Sequence, residues 1–275
     1  MSKVSIVVLT YNKLKEATEP FLLSLLKNTS GGGQVHEIVI VDNGSSDGTV
    51  EYLKHFEQTN KNVKLIFNKE NLGYSKGCNQ AVNASTGEYI VFLNNDILLL
   101  PNWLDDLLNI FEKEPDAGLV AVSNIEAFEC AQRKFPKLAS KKCKKAKKDY
   151  EPVILPQFAC VMTKKAVFDK IGGFDENFSP AYFEDNDLSW RYIFAGYKNF
   201  ISKRSYFYHK GSVTGKSLTN LNEIYAKNKK YFFEKYQNKY YVLCDWAMTQ
   251  QAWHYRDKML KYKFRNPFYW IKKYI

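Results

Sequence analysis

A chain of 275 residues with 45% hydrophobic and 25% charged content carries enough apolar material for one large domain, or for a domain with an appendage. No apolar run of about 18 residues occurs, which argues against a membrane-spanning helix. Met1-Ser2-Lys3 leads straight into an apolar strand without a signal-peptide pattern, so a cytoplasmic protein is expected. The net charge of +11 implies an anionic partner without choosing among nucleic acid, a membrane surface and a phosphorylated substrate.

Short apolar runs at Val4 to Leu9, Glu37 to Val41, Val63 to Phe67, Tyr89 to Leu93 and Leu119 to Val122 alternate with helix-like stretches. That alternation predicts an α/β fold, a mostly parallel sheet with helices on its faces. Thr18 reads as an N-cap with Pro20 in the first turn, ahead of the apolar positions Phe21, Leu22, Leu25 and Leu26. Residues 11–17 are then a loop over the sheet edge. After the turn-rich run Asp42 to Gly48 a second helix is expected over Val50 to Phe56. Pro101 opens a third, with Trp103, Leu104, Leu107, Leu108 and Phe111 facing inward.

The lysine-rich stretch 141–148 shows no apolar periodicity and is predicted to be a mobile loop. Order resumes at Ile154 to Met162, Gly172-Gly173-Phe174-Asp175 is a turn, and Asp187 to Phe194 is expected to be helical, beginning under Glu184 and Asp185. From 221 to 275, lysines alternate with Tyr, Phe and Trp at roughly helical spacing, which predicts a helical extension with one basic and one apolar face. The five cysteines are odd in number and lack a Cys-x-x-Cys spacing, so neither a disulfide framework nor a zinc site is indicated. They are expected to be reduced and mostly buried.

Candidate site residues fall where strands end. The apolar run Tyr89 to Leu93 passes directly into Asn94-Asn95-Asp96, hard oxygen donors suited to magnesium or manganese, and the alternative is a turn that closes the strand. Thr10-Tyr11-Asn12 and Asp42 stand at the ends of the first two strands, either as nucleotide contacts or as loop caps. Asn71-x-Gly73 precedes a helix and lets backbone N–H groups approach a phosphate or sugar. Glu184 and Asp185 follow Tyr182 and Phe183, a setting that would desolvate a carboxylate and raise its basicity; a helix N-terminal cap is the other reading. His209 follows an aromatic run and is either structural or a metal ligand.

Taken in order over about residues 3–215, Thr10-Tyr11-Asn12, Val41 to Thr49, Asn71-x-Gly73, Leu93 to Asp96 and Glu184-Asp185-x-Asp187-Leu188 resemble the family-2-type inverting glycosyltransferases of GT-A fold. The likeness is to their bacterial rhamnosyltransferase-like branch. The resemblance implies a catalytic domain over 1–220, with about 1–100 as nucleotide-sugar half and 101–220 as acceptor half, and leaves 221–275 as an extension. It implies nucleotide-sugar contacts at Thr10, Tyr11, Asn12, Asp42, Asn71, Gly73, Asn94 and Asn95, and a divalent metal, Mn2+ or Mg2+, at Asp96 and His209. It implies Asp185 as general base, with Glu184 binding acceptor or donor hydroxyls. Two positions depart from the family pattern: Asn94 replaces the first carboxylate of Asp-x-Asp, and Cys78 stands where many relatives carry arginine, with Lys76 as the compensating cation.

The donor implied is a UDP- or dTDP-sugar and the acceptor a hydroxyl of a cell-surface glycan or lipid-linked glycan. A sugar-nucleotide pyrophosphorylase is disfavoured because residues 10–16 lack its glycine-rich basic loop. A nucleic-acid-binding module would explain the charge but leave both acidic clusters unexplained, so nucleic acid is not expected as a partner. The cations and aromatics from Lys258 to Lys273 suit an anionic bilayer, which would place the protein on the inner face of the membrane; a homodimer contact is the competing use of those aromatics.

Overall fold

A computed structural model describes residues 4–29, 36–126, 129–211 and 220–239. Strands β1 (Val4–Thr10), β2 (His36–Asp42), β3 (Val63–Phe67) and β4 (Tyr89–Asn94) pair in parallel, as the apolar runs predict, and their order is β3-β2-β1-β4. The sheet then continues through β8 (Cys160–Lys164), antiparallel to β4, and β6 (Ala117–Glu126), antiparallel to β8. The long β9 (Lys198–His209) runs parallel to β6 and also holds the short antiparallel strands β5 (Ile97–Leu98) and β7 (Tyr150–Val153).

Side chains alternate across the sheet and so build two cores. Val4, Ile6 and Val8 point to one face, where α1 (Glu19–Thr29), α2 (Thr49–Thr59) and α4 (Trp103–Lys113) cover them with Phe21, Leu25, Leu53 and the fully buried Trp103. Val7, Val39 and Val41 point to the other, beneath α3 (Tyr74–Ala84), α6 (Lys165–Ile171) and α7 (Glu184–Phe194). Both faces being covered, these strands read as continuous apolar runs rather than as alternation.

Two sequence expectations are corrected. Residues 11–17 are not simply a loop, because a π-helical turn over Leu14–Thr18 runs directly into α1. Thr18 is therefore inside the helical path and caps nothing; it is fully buried and its Oγ1 accepts a hydrogen bond from Asn95 Nδ2 at 3.0 Å. The second correction concerns 141–148, which begins inside helix α5 (Phe135–Lys145). Phe135, Leu138, Ala139 and Cys143 form its inner stripe, packed with Ile125 and Tyr208, and the part of the stripe that anchors it lies before residue 141.

Of the five cysteines, Cys78 and Cys160 are buried and Cys130 and Cys143 partly buried, all free; Cys244 lies outside the described residues. Helix α8 (Leu221–Lys235) packs Phe232 against Phe178, Phe183 and Trp190. The expectations for the last thirty or so residues, the membrane-directed tail among them, fall in 240–275, outside the described residues. No helix among the described residues is long and apolar enough to cross a membrane.

Asp187, in the first turn of α7, ties α8 to this body. Its fully buried carboxylate meets Arg191 Nε at 2.8 Å, Lys235 Nζ at 2.6 Å and the Tyr236 hydroxyl at 2.8 Å. Removing one member of such a cluster strands the others. Asp187→Ala is expected to cost roughly 3 kcal/mol of stability, read as a lowered denaturation midpoint. An unchanged midpoint would mean that the α7–α8 clamp contributes nothing to the fold.

Candidate active site

The carboxyl ends of β1, β4, β6 and β9 open on a cleft of about 410 Å³, roofed by residues 180–185. Its lining includes Thr10 and Tyr11 after β1, Asn71, the triplet Asn94-Asn95-Asp96 after β4, Glu184 and Asp185 at the start of α7, and His209 at the end of β9. Residues almost two hundred apart in sequence are thus brought to one cavity at the edge where open α/β sheets bind ligands.

Not every candidate reaches it. Asp42 is buried and its carboxylate is taken by Thr10 Oγ1 at 2.9 Å, Ser45 Oγ at 2.6 Å and the Ser45 amide at 2.9 Å. Asn12 is spent in the same clamp, its amide donating to Ser45 Oγ and its Oδ1 accepting from the Ser46 amide. These two residues shape the loop walls, with no side-chain atom of either lining the cleft. Asn95 does line the cleft, but it is largely buried and its Nδ2 donates to Thr18 Oγ1. Lys76 is exposed on α3 and does not line the cavity, so the structure does not place it as a substitute cation.

Asn71 and Gly73 act on the backbone. Asn71 Oδ1 accepts from the Gly73 amide at 2.9 Å, and Gly73 takes φ +84°. A Cβ there would sit 2.9 Å from Pro180 Cα, so only glycine lets the turn before α3 come this close to the 180s loop.

That loop is strained where it meets the acidic pair. Tyr182 and Phe183 both have positive φ, +79° and +74°, a conformation that bulky residues adopt only when their surroundings impose it. The imposing contacts come from α8: the buried Asn228 amide donates to Ala181 O at 2.8 Å and Tyr182 O at 3.2 Å, and Phe183 stacks near Tyr225 and Phe232. The kinked backbone then delivers Glu184 and Asp185 to the cleft. Glu184 is buried with Oε2 lacking a partner, and burial followed by repulsion from Asp185 pushes its pKa well above the carboxylate range. Asp185 is only partly buried and is also raised, by burial, while the Asn186 amide at 2.8 Å opposes the shift.

Across the cleft, His209 stands between two carboxylates. Its Nδ1 lies 3.2 Å from Glu126 Oε2, its Nε2 3.4 Å from Asp96 Oδ1. The second approach is charge to charge, since Nε2 is buried with no hydrogen-bond partner. Burial alone would lower the imidazole's pKa, but the two carboxylates, Asp96 first, outweigh it and bring His209 up to about 9. Among the described residues no three His, Cys, Asp or Glu side chains are arranged to hold a metal ion.

Glu126 escaped sequence reasoning. The strand Leu119 to Val122 extends to residue 126, and the polar residues Ser123 and Asn124 hide the extension because Ser123 Oγ is satisfied internally by Ser202 O. A carboxylate at or just after a strand end, as Asp96 follows β4, is the signal that could have found it.

A Rossmann-like sheet with an acidic cleft at the carboxyl ends of its strands is the architecture of the GT-A glycosyltransferases. The chain belongs to glycosyl transferase family 2, whose model matches residues 5–172. It is 26% identical to the poly(ribitol-phosphate) beta-N-acetylglucosaminyltransferase TarP of Staphylococcus aureus over 298 aligned residues, covering all of this chain and 88% of TarP. It is also 26% identical to the N-acetylglucosaminyl-diphospho-decaprenol L-rhamnosyltransferase of Mycobacterium tuberculosis, over 72% of this chain and 73% of that protein. Other matches cover less of the relative: the aligned part spans 25% of one from Sinorhizobium fredii and 40% of one from Methanocaldococcus jannaschii. Among solved structures, the mannosyltransferase PcManGT of Pyrobaculum calidifontis, in complex with GDP-Man and Mn2+, superposes with a TM-score of 0.59 over 77% of this chain and 58% of its own, at 19% identity. That likeness is one of fold.

Proposed function

We propose that this chain is an inverting, metal-dependent glycosyltransferase that moves a sugar from a nucleoside-diphosphate donor to a hydroxyl of a glycan or lipid-linked glycan. One observation carries the reading: a carboxylate pair of raised basicity, Glu184 and Asp185, lines the same cleft as the Asp96 and His209 pair at the ends of β4 and β9. The family membership and relatives such as TarP and the rhamnosyltransferase support the reaction class. In this reading residues 1–100 supply the donor half and 101–220 the acceptor half, with α8 of the 221–275 extension bracing the base loop.

The residues present fit a divalent cation. The orphaned, buried His209 Nε2 faces the Asp96 carboxylate, and Glu126 accepts from Nδ1, so that Nε2 would be the ligand once a cation displaces its proton. Asp96 and His209 would hold the ion, with donor phosphate and water completing its shell, as is usual for Mg2+ and Mn2+. When bound, the ion would stabilise negative charge developing on the leaving diphosphate.

The chain's own groups do the rest. Asp185, the more exposed of the pair, takes the proton from the acceptor hydroxyl as its oxygen attacks the anomeric carbon. Glu184 keeps its proton, because two carboxyls this close in a dry wall do not ionise together, and it serves as a hydrogen-bond donor to a sugar hydroxyl. Asn71, Gly73, Thr10 and Tyr11 shape the donor side. The test is a panel of UDP-, dTDP- and GDP-sugars with Mn2+ or chelator, read as nucleoside diphosphate released. Failure of every donor to bind or turn over would overturn the reading.

A stability measurement checks the Glu184 assignment separately. A carboxyl whose folded pKa is raised contributes stability that is full below its unfolded pKa and is lost as pH rises toward the folded value. Glu184→Gln cannot ionise and escapes that loss. Its unfolding midpoint is therefore expected to gain on the parent's by a few degrees as pH rises from the ordinary carboxylate range to neutrality. A difference independent of pH would show that Glu184 titrates normally.

A further inference from the structure

We propose that α5 and the turn after it form a docking face for an anionic lipid bilayer. Nine cations and no acid fall within residues 133–148, set against a net charge of +11 for the whole chain. Lys142 alone among them is paired, with Glu129 at 3.0 Å; the others are exposed and form no ion pair among the described residues. The other nearby acid, Asp149, is already held by Arg204 at 2.6 Å. A concentration of like charge destabilises its own helix and is retained where an opposite field neutralises it.

The helix is built for a planar partner. Phe135, Leu138, Ala139 and Cys143 fasten one side to the body, and Arg204 Nη1 donates to Cys143 O at 3.1 Å near its last turn. Lys137, Lys141, Lys144 and Lys145 are exposed on the side away from that stripe, at spacings that share one helical face. Eight of the nine cations are lysine, a point charge for a diffuse anionic surface, and arginine, the bidentate phosphate reader, occurs once. No aromatic residue lies between 136 and 149 to stack on bases, which separates this face from a single-strand nucleic-acid groove. Clusters of four to eight lysines or arginines on an amphipathic helix suit acidic lipid headgroups.

Position gives the contact a use. Phe135 and Ala139 pack on Ile125 and Tyr208, the residues just before Glu126 and His209. A bilayer against α5 would therefore lie beside the donor-phosphate end of the cleft, where a membrane-tethered acceptor could enter. The docking itself does not depend on the catalytic reading.

Flotation of the full chain tests it, with phosphatidylcholine vesicles that either lack or contain about 30 mol% phosphatidylglycerol. The parent should float only with the anionic vesicles and be released by high salt. Replacing Lys137, Lys141, Lys144 and Lys145 together by Gln should weaken partitioning by on the order of a thousandfold, at about 1 kcal/mol for each lysine, and replacing them by Glu should weaken it further. All four are exposed and outside the cleft, so melting midpoints should stay near the parent's. Equal flotation of parent and Glu variant would overturn the proposal and shift attention to the basic residues beyond 240. So would heparin binding by the parent that the Glu variant loses, with no flotation at all, which would make the partner of this face a soluble polyanion.

Discussion

Asp185→Asn is expected to lower turnover by on the order of a hundredfold to ten-thousandfold while leaving donor affinity near that of the parent. The amide is isosteric and keeps the acceptor for the Asn186 N–H at 2.8 Å, so the local backbone has no reason to move. What is lost is the ability to take a proton. In the proposed reading donor affinity is set by Asp96, Asn94 and the β1 end, which the substitution does not touch. Structure narrows the alternatives should the result go otherwise: Asp187 is consumed by Arg191, Lys235 and Tyr236 outside the cleft lining, so it is not a reserve base. Near-normal transfer by Asp185→Asn with tight donor binding would reassign the base to Glu184. The acid limb of the parent's rate profile gives a second check. Because Asp185 is raised by burial, activity should fall with decreasing pH from above the ordinary carboxylate range, and that limb should vanish in the variant.

The parallel half of the fold was legible because its strands are buried on both faces. Val4 to Leu9 and Tyr89 to Leu93 are unbroken apolar runs, and each ends within one residue of where its strand does. Past residue 117 the sheet turns mixed, strands carry internal hydrogen bonds such as Ser123 to Ser202 O, and register shifts interrupt β6 against β9. Polar residues there are satisfied across the sheet rather than by water, which no local pattern records. The acidic motifs were readable as types placed after strands and before a helix. The division of labour within them was not: spacing left Asp42 open between a ligand contact and a loop cap, and only the fold shows its carboxylate accepting three hydrogen bonds from Thr10 and Ser45. Nor could spacing show that Tyr182 and Phe183 would be forced to positive φ by Asn228, a residue on a helix outside every recognised motif.

Asp96→Ala is expected to make nucleoside-diphosphate binding indifferent to manganese. Asp96 is buried, and in its triplet it is the sole charged oxygen donor. Asn95, whose Nδ2 is held by Thr18, and Asn94 both offer only a neutral oxygen, which compensates a divalent charge poorly. In the variant His209 would still meet Glu126 at 3.2 Å, but a lone imidazole nitrogen is too few ligands to hold Mg2+ or Mn2+ beside a diphosphate. Calorimetry of UDP or dTDP with and without Mn2+ separates the two contributions, because binding to the β1 and Asn71 side should survive while the metal enhancement, on the order of a hundredfold or more, disappears. Glu126→Gln should fall between parent and Asp96→Ala, with metal affinity down by about ten- to a hundredfold, as is typical when the group orienting a ligand histidine is weakened. Its failure to do so would leave Glu126 a neighbour rather than a partner of the metal site. Manganese enhancement that survived in Asp96→Ala would remove Asp96 from the ligand set and, with it, the reason for a metal at the end of β4.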